Sequence, residues 1–176
     1  VTFQVPDIPV LETERLTLRG HEIGDFEAYA AFWASDRTVA MGGPCDARAA
    51  WGHFCKDVAG WTLLGHGAFA MVERETGALV GQISVGKPPH FPELELGWLV
   101  MEPAEGQGFA TEGAAAVRDW AFDDFGAPTL VSYIARDNAP SIRVAERLGA
   151  RPDDSAPAAP FANHVVYRHP APERLQ

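Results

Sequence analysis

Glu93–Ala135 reads as a strand, a glycine-rich turn, a helix and a second strand, in that order. ELELGWLVM (93–101) is the first strand, with Leu94 and Leu96 on one face and Glu93 and Glu95 on the other. EPAEGQGFATEG (102–113) carries glycines at 106, 108 and 113. Between Phe109 and Phe125, the residues Ala110, Ala114, Val117, Ala121 and Phe125 recur at intervals of three and four. They form a helical stripe made largely of small side chains. TLVSYIA (129–135) closes the unit as a strand. A strand–helix–strand connection within one sheet is a right-handed parallel crossover, so the chain is expected to hold a parallel pair with a helix N-terminus at the end of its first strand.

The remaining elements surround this unit. RLTLRG (15–20) alternates as a strand, and EIGDFEAYAAFWAS (22–35) sets Ile23, Phe26, Ala30 and Trp33 at helical spacing. DARAAWGHFCKDVAGW (46–61) is a second helix with Asp46 at the N-cap, after a break at Gly42, Gly43 and Pro44. GAFAMVER and ALVGQISVG, separated by ETG, predict an antiparallel hairpin; KPPHFP (87–92) predicts a loop. SIRVAERLG (141–149) reads as a helix stopped by Gly149, and NHVVYRH (163–169) as a last strand after the loose PDDSAPAAP. The order β-α-α-β-β-β-α-β-α-β gives a mixed α/β sheet. At 176 residues the chain fits a single domain over 1–176, with residues 1–10 as a loosely ordered N-terminal extension.

Composition narrows the function classes. A formal net charge of −10 without any Lys/Arg-rich run speaks against nucleic acid and suits cationic partners such as amines or basic peptides; a solubilising acidic surface accounts for it equally well. No apolar run approaches the roughly 20 residues of a membrane span, and the N-terminal stretch has no signal-peptide pattern. Two lone cysteines suit a reducing cytoplasm, and the six histidines show no metal-ligand spacing, so no metal is expected.

A glycine turn opening a helix offers unpaired N–H groups and the positive end of the helix dipole, a setting for an anion such as a diphosphate. GQGFATEG is loosely a dinucleotide fingerprint, but several strands precede it and the next strand ends YIARDN. A triphosphate loop fails because no lysine follows the glycines. The third reading is the diphosphate turn of an acetyl-CoA enzyme.

LELGWLVMEPAEGQGFATEGAAAVRDWAF (94–122) resembles the signature segment of the GNAT superfamily of N-acetyltransferases, and is most similar to its ribosomal-protein N-terminal acetyltransferase-like (RimJ/RimL-like) branch. ARDNAPSIRVAERLGAR (135–151) resembles that branch's second signature, and TERLTLRG and HVVYRH resemble its first and last strands. The resemblance implies a mostly antiparallel twisted sheet of six to seven strands with one splayed parallel pair and helices on both faces. It implies acetyl-CoA as co-substrate and a primary amine as acceptor, either a protein N-terminus or a small molecule. Backbone groups of Leu99, Val100 and Met101 would pair with the pantetheine arm. The turn Glu105, Gly106, Gln107, Gly108, Phe109, Ala110 and Thr111 would hold the diphosphate, with Arg143 either approaching the phosphates or staying a surface charge, while Asn138 would hydrogen-bond the pantetheine arm and Ser141 would stand near the sulfur. Glu105 departs from the family pattern and is expected to point into solvent. Gly97 sits where a bulge could open the splay, or where close packing needs a glycine.

Acetyl transfer to an amine requires a base, a polarised thioester carbonyl and a stabilised leaving thiolate. Glu95 is the candidate base, with Glu93 in reserve; a solvated polar face is the plain alternative. The tyrosine that many of the superfamily place on the last helix is replaced here by Ala145, and the resemblance puts Ser141 near the sulfur instead. Ser141 is equally suited to a helix first turn, and Asn138 to its N-cap. Trp33, His90, Phe91, Trp98 and Tyr133 are candidates for the acceptor mouth, with core packing as the alternative, and Tyr167 is considered beside Tyr133. A catalytically weak acyl-CoA-binding module of the same fold is the competing function. A homodimer is compatible with either.

Overall fold

The structure, a computed structural model, describes residues 7–172. Its elements are β1 (Leu11–Glu12), β2 (Leu16–Gly20), α1 (Phe26–Trp33), α2 (Ala47–Leu64), β3 (Ala68–Glu73), β4 (Leu79–Gly86), β5 (Glu95–Val100), α3 (Phe109–Asp123), β6 (Val131–Ala135), α4 (Ala139–Arg147), β7 (Arg151–Pro152) and β8 (His164–Arg168). Short 3-10 turns at Ile23–Asp25 and Asp36–Met41 flank α1. The strands form one sheet in the order β1-β2-β3-β4-β5-β6-β8-β7. Among the described residues only β5 and β6 run parallel; every other neighbouring pair is antiparallel.

The sheet exceeds the expected six to seven strands because β1 and β7, two residues each, pair at its edges. Two residues carry no period, so neither edge strand was visible in the sequence. Residues 1–6 of the expected N-terminal extension lie outside the described residues. Beyond them, Ile8 packs against the main core cluster.

Local chemistry sets the helix ends. Asp46 accepts from the Ala49 N–H (2.9 Å) to start α2, and Gly65, at φ 73°, ends it. The Asn138 side chain accepts from the Ser141 N–H (3.2 Å) to start α4, and Pro140 occupies its first turn. Ile23, expected on the apolar stripe of the first helix, is 73 % exposed in the turn ahead of α1.

Alternate residues of β5 show that helices cover both faces. Leu96 joins the cluster built with Val117 and Ala121 of α3, whereas Leu99 and Met101 pack with Tyr29, Phe32 and Phe54 of α1 and α2. α3 lies close against the sheet: a Cβ on Gly113 would stand 2.8 Å from the Met71 sulfur. The segment after β7 is pinned rather than loose, because Asp153 accepts from Arg168 (2.5 Å) and Ala156 and Ala159 pack on the Val131–Tyr133–Val166 cluster.

Candidate active site

β5 and β6 share a single paired position, Glu95 with Val131. The Val131 N–H donates to Leu94 O (3.0 Å). One step on, a side chain takes over: the Ser132 hydroxyl donates to Leu96 O (2.5 Å), and Ser132 Oγ lies 2.9 Å from His169 Nε2. Burial, helped by the Arg118 charge, lowers His169 to about 4, so its ring is neutral at physiological pH. With the hydroxyl proton committed to Leu96, Nε2 carries the hydrogen and donates to Ser132. Beyond this brace the two strands part.

No bulge at Gly97 opens the gap. The β4–β5 register runs unbroken from Gly81–Val100 to Gly86–Glu95, and Gly97 packs close to Ser84, whose Oγ would stand 2.8 Å from an added Cβ. Met101 N–H donates to Val80 O (2.9 Å), and Leu99 O lies against Gly81. In an antiparallel ladder alternate residues bond one neighbour, so the backbone groups of Leu99 and Met101 serve β4. Those of Val100 and Trp98 face the gap. Of the three residues expected to hold an extended arm, Val100 keeps that position, and Trp98 takes the place of the other two.

Two cavities open along the gap. The first, about 620 Å³, is lined by Trp33, Asp57, Gln82, Ser84, Glu95, Gly97, Ser132, Tyr133, Phe161 and His164, among others. The second, about 460 Å³, is lined by the turn residues Glu105, Gly106, Gly108, Phe109, Ala110 and Thr111, and by Arg37, Val100, Arg143 and Arg147. Met41, Trp98, Leu99, Asn138 and Ser141 line both, so the chambers meet there. Their charges differ in sign. Among the described residues, two carboxylates and no arginine or lysine line the first, whereas three guanidiniums and one carboxylate line the second.

The second chamber ends at the N-terminus of α3. Gly106 and Gly108 adopt φ of 72° and 85°, and Gly108 caps the helix without a side-chain bond, leaving the first N–H groups of α3 for a ligand. The Thr111 hydroxyl is buried without a partner among the described residues. These features fit a diphosphate. Arg15 supports the turn from outside the chamber, bonding Gln107 O (2.9 Å) and Glu112 while its guanidinium lies 4.5 Å from the centre of the Phe109 ring.

The first chamber holds Glu95 half-buried on β5. Burial pushes its carboxyl up to about 7, against smaller downward pulls from the Tyr133 backbone N–H and the Lys56 charge. A carboxylate that titrates near neutrality suits proton collection.

A family model described as the acetyltransferase (GNAT) domain matches residues 15–151. The chain belongs to that family. GNAT acetyltransferases are acetyl-CoA-dependent acyltransferases. An acetyltransferase from Agrobacterium tumefaciens strain C58 is 48 % identical, with 96 % of each chain covered and a TM-score of 0.86. A Bacillus subtilis (strain 168) protein named uncharacterized N-acetyltransferase YnaD is 28 % identical over 85 residues. That match spans about half of each chain, 47 % of this one and 49 % of the relative. The ribosomal-protein-S5-alanine acetyltransferase of Vibrio fischeri covers 94 % of this chain and 98 % of its own at a TM-score of 0.69; at 15 % identity it shows the fold alone.

Several residues of this GNAT chain sit differently from the expectation. Glu105 is exposed, as expected, but it is not alone there: Arg37 pairs with both Glu105 and Glu102 (3.2 Å to the latter) and offsets one of their two charges beside the turn. Glu93 is tied to Arg168 by two 3.0 Å bonds and does not line the first chamber, which removes it as reserve base. Gln107 folds back on Pro103 O (3.3 Å) and does not line the second chamber. His90 is exposed and Phe91 packs edge-on against Tyr133 and Phe161; neither lines a chamber. Tyr167 is core, and Ala145 is fully buried beside it. Trp33, Trp98 and Tyr133 do line the first chamber, and Ser141 and Asn138 stand at the junction. Sequence reading missed Arg37, Asp57, Gln82, Ser132 and Phe161, which no local pattern marks. Arg147 it could have found, one helical turn beyond Arg143 on the same face.

Proposed function

We propose that this acetyltransferase moves an acetyl group from acetyl-CoA to a primary amine by direct attack within a ternary complex. The opposed charge of the two adjoining chambers carries the reading. The basic one suits the phosphates of acetyl-CoA, with diphosphate on the N-terminus of α3 and Arg143 and Arg147 beside it. The acidic one suits an amine. Trp98 and Val100 backbone groups would hold the arm, bringing the thioester to the junction. There the amine nitrogen attacks the carbonyl carbon, the C–N bond forms and the C–S bond breaks. Glu95 accepts the amine proton, directly or through water. The Ser141 hydroxyl hydrogen-bonds the departing thiolate, which leaves as the thiol once protonated. Asn138 caps α4 through its side-chain oxygen and presents its amide group to the arm.

A protein N-terminal amine, the ribosomal-type reading, draws on the resemblance to that branch and on the name of the Vibrio fischeri neighbour. The binding-module alternative drew on Glu105 and Ala145. Arg37 removes the first of those grounds by pairing with Glu105. Calorimetric shift with acetyl-CoA, CoA and NAD, followed by thiol release across an amine panel, tests the proposal. Acetyl-CoA and CoA should stabilise the protein and some primary amine should release thiol. Stabilisation by NAD alone would falsify it.

A further inference from the structure

The acidic chamber contains a second carboxylate with no part in the chemistry so far. Asp57, on α2, lines the same cavity as Glu95. Its Oδ2 accepts from the Tyr29 hydroxyl (2.7 Å) and from the Gln82 amide (3.0 Å). Gln82 is 94 % buried by its 6 % exposure, and its Oε1 is itself fixed 2.7 Å from His21 Nε2. Tyr29 is 1 % exposed. Both donors are neutral and both address one oxygen, so the carboxylate is held rigidly, with Oδ1 left without a donor among the described residues. No ion pair to Asp57 occurs among the described residues. Nothing in Asp57's own hydrogen bonding requires a charge: a neutral amide could keep the tyrosine bond through its oxygen.

Resting on the acyltransferase reading, we propose that Asp57 anchors a second positive charge of the acceptor, and that the acceptor is therefore a small aliphatic diamine. One amine, neutral when it reacts, stands at Glu95, and the other, as an ammonium, donates to Asp57 Oδ1. A charge-assisted bond to a preorganised carboxylate favours the diamine over a monoamine of the same length. The aromatic walls, Trp33, Tyr133 and Phe161, suit the methylene chain between the two nitrogens. A neutral N-terminal dipeptide would leave Asp57 without a counter-charge in a partly desolvated chamber.

The test compares straight-chain diamines of three to six carbons with monoamines of equal carbon number and with an Ala-Ala peptide, using acetyl-CoA and thiol release. The best diamine should exceed its monoamine in kcat/KM at least tenfold, chiefly through KM, and should exceed the peptide. In Asp57→Asn that diamine-to-monoamine ratio should collapse toward one, with the acetyl-CoA thermal shift confirming a folded protein. Equal use of monoamine and diamine, a preference for the peptide, or a ratio unchanged in Asp57→Asn overturns the anchor while leaving the acyltransferase reading intact. Should Asp57→Asn not fold, the wild-type comparison decides alone. No thiol release from any amine sinks the acyltransferase reading and the anchor with it.

Discussion

Replacing Glu95 by glutamine should damage activity and improve stability, in a pH-dependent way that separates a working base from a polar surface residue. The folded carboxyl keeps its proton to about 7, above the ordinary glutamate value, because burial disfavours its charge. Between those two values the native state binds more protons than the unfolded chain. Stability therefore falls as pH rises across that window and stays lower above it. The rise corresponds to about 3 kcal/mol of ionisation cost. Glutamine has no proton to lose, so Glu95→Gln should gain up to that amount at pH 9 and nothing at pH 4. For a chain of this length that is a Tm increase of roughly 6–12 °C at the high pH only. Over the same range wild-type kcat/KM should rise through about pH 7. The amine's own titration adds a slope common to both proteins, so the difference between the two profiles is what counts. The variant should lie about 10²–10⁴-fold below the wild type on the alkaline side. Scanning calorimetry at pH 4 and 9 reads the first effect and thiol release from pH 5.5 to 9 reads the second. A variant with wild-type kcat/KM at pH 8, or with one stability difference at both pH values, would refute the assignment.

Ser141→Ala should lower kcat by about tenfold or more while acetyl-CoA KM changes little, because a hydrogen bond to the leaving thiolate matters after binding; unchanged kcat in steady-state assays removes Ser141 from the mechanism. Arg143→Ala combined with Arg147→Ala should raise acetyl-CoA Kd several-fold at low ionic strength, with the difference shrinking by about 0.5 M salt, measured by titration calorimetry; an equal affinity at low salt excludes the basic chamber from phosphate binding.

What the sequence made legible was whatever repeats locally. The crossover from β5 through α3 to β6 announced itself by a strand, a small-residue stripe and a glycine turn, and the hairpin β3–β4 by its alternation. The N-caps Asp46 and Asn138 were visible because capping acts over three residues. Side chains whose partners lie far along the chain were not. Arg37 meets Glu105 across 68 positions, Glu93 meets Arg168 across 75, and Ser132 meets His169 across 37. Each pairing exists only once the sheet has brought its strands together. The backbone roles of Leu99 and Met101 failed for a related reason: which way a peptide group faces depends on the register with β4, and register follows from the whole sheet.

The opposed charges of the two chambers also bear on how a turnover ends. An amine can be drawn in as a cation, but the amide it becomes is neutral at the acylated nitrogen. On the proposed reading, transfer would end the hold of the acidic chamber on that end of the acceptor, while the arginines lining the second chamber would keep theirs on the phosphates of CoA. The reacted end of the product would then be the first to let go, with any second ammonium still held at Asp57, and the thiol would leave from a chamber lined by arginines. Acylation would thus erase the attraction at the reacting nitrogen alone, and that loss gives departure its direction.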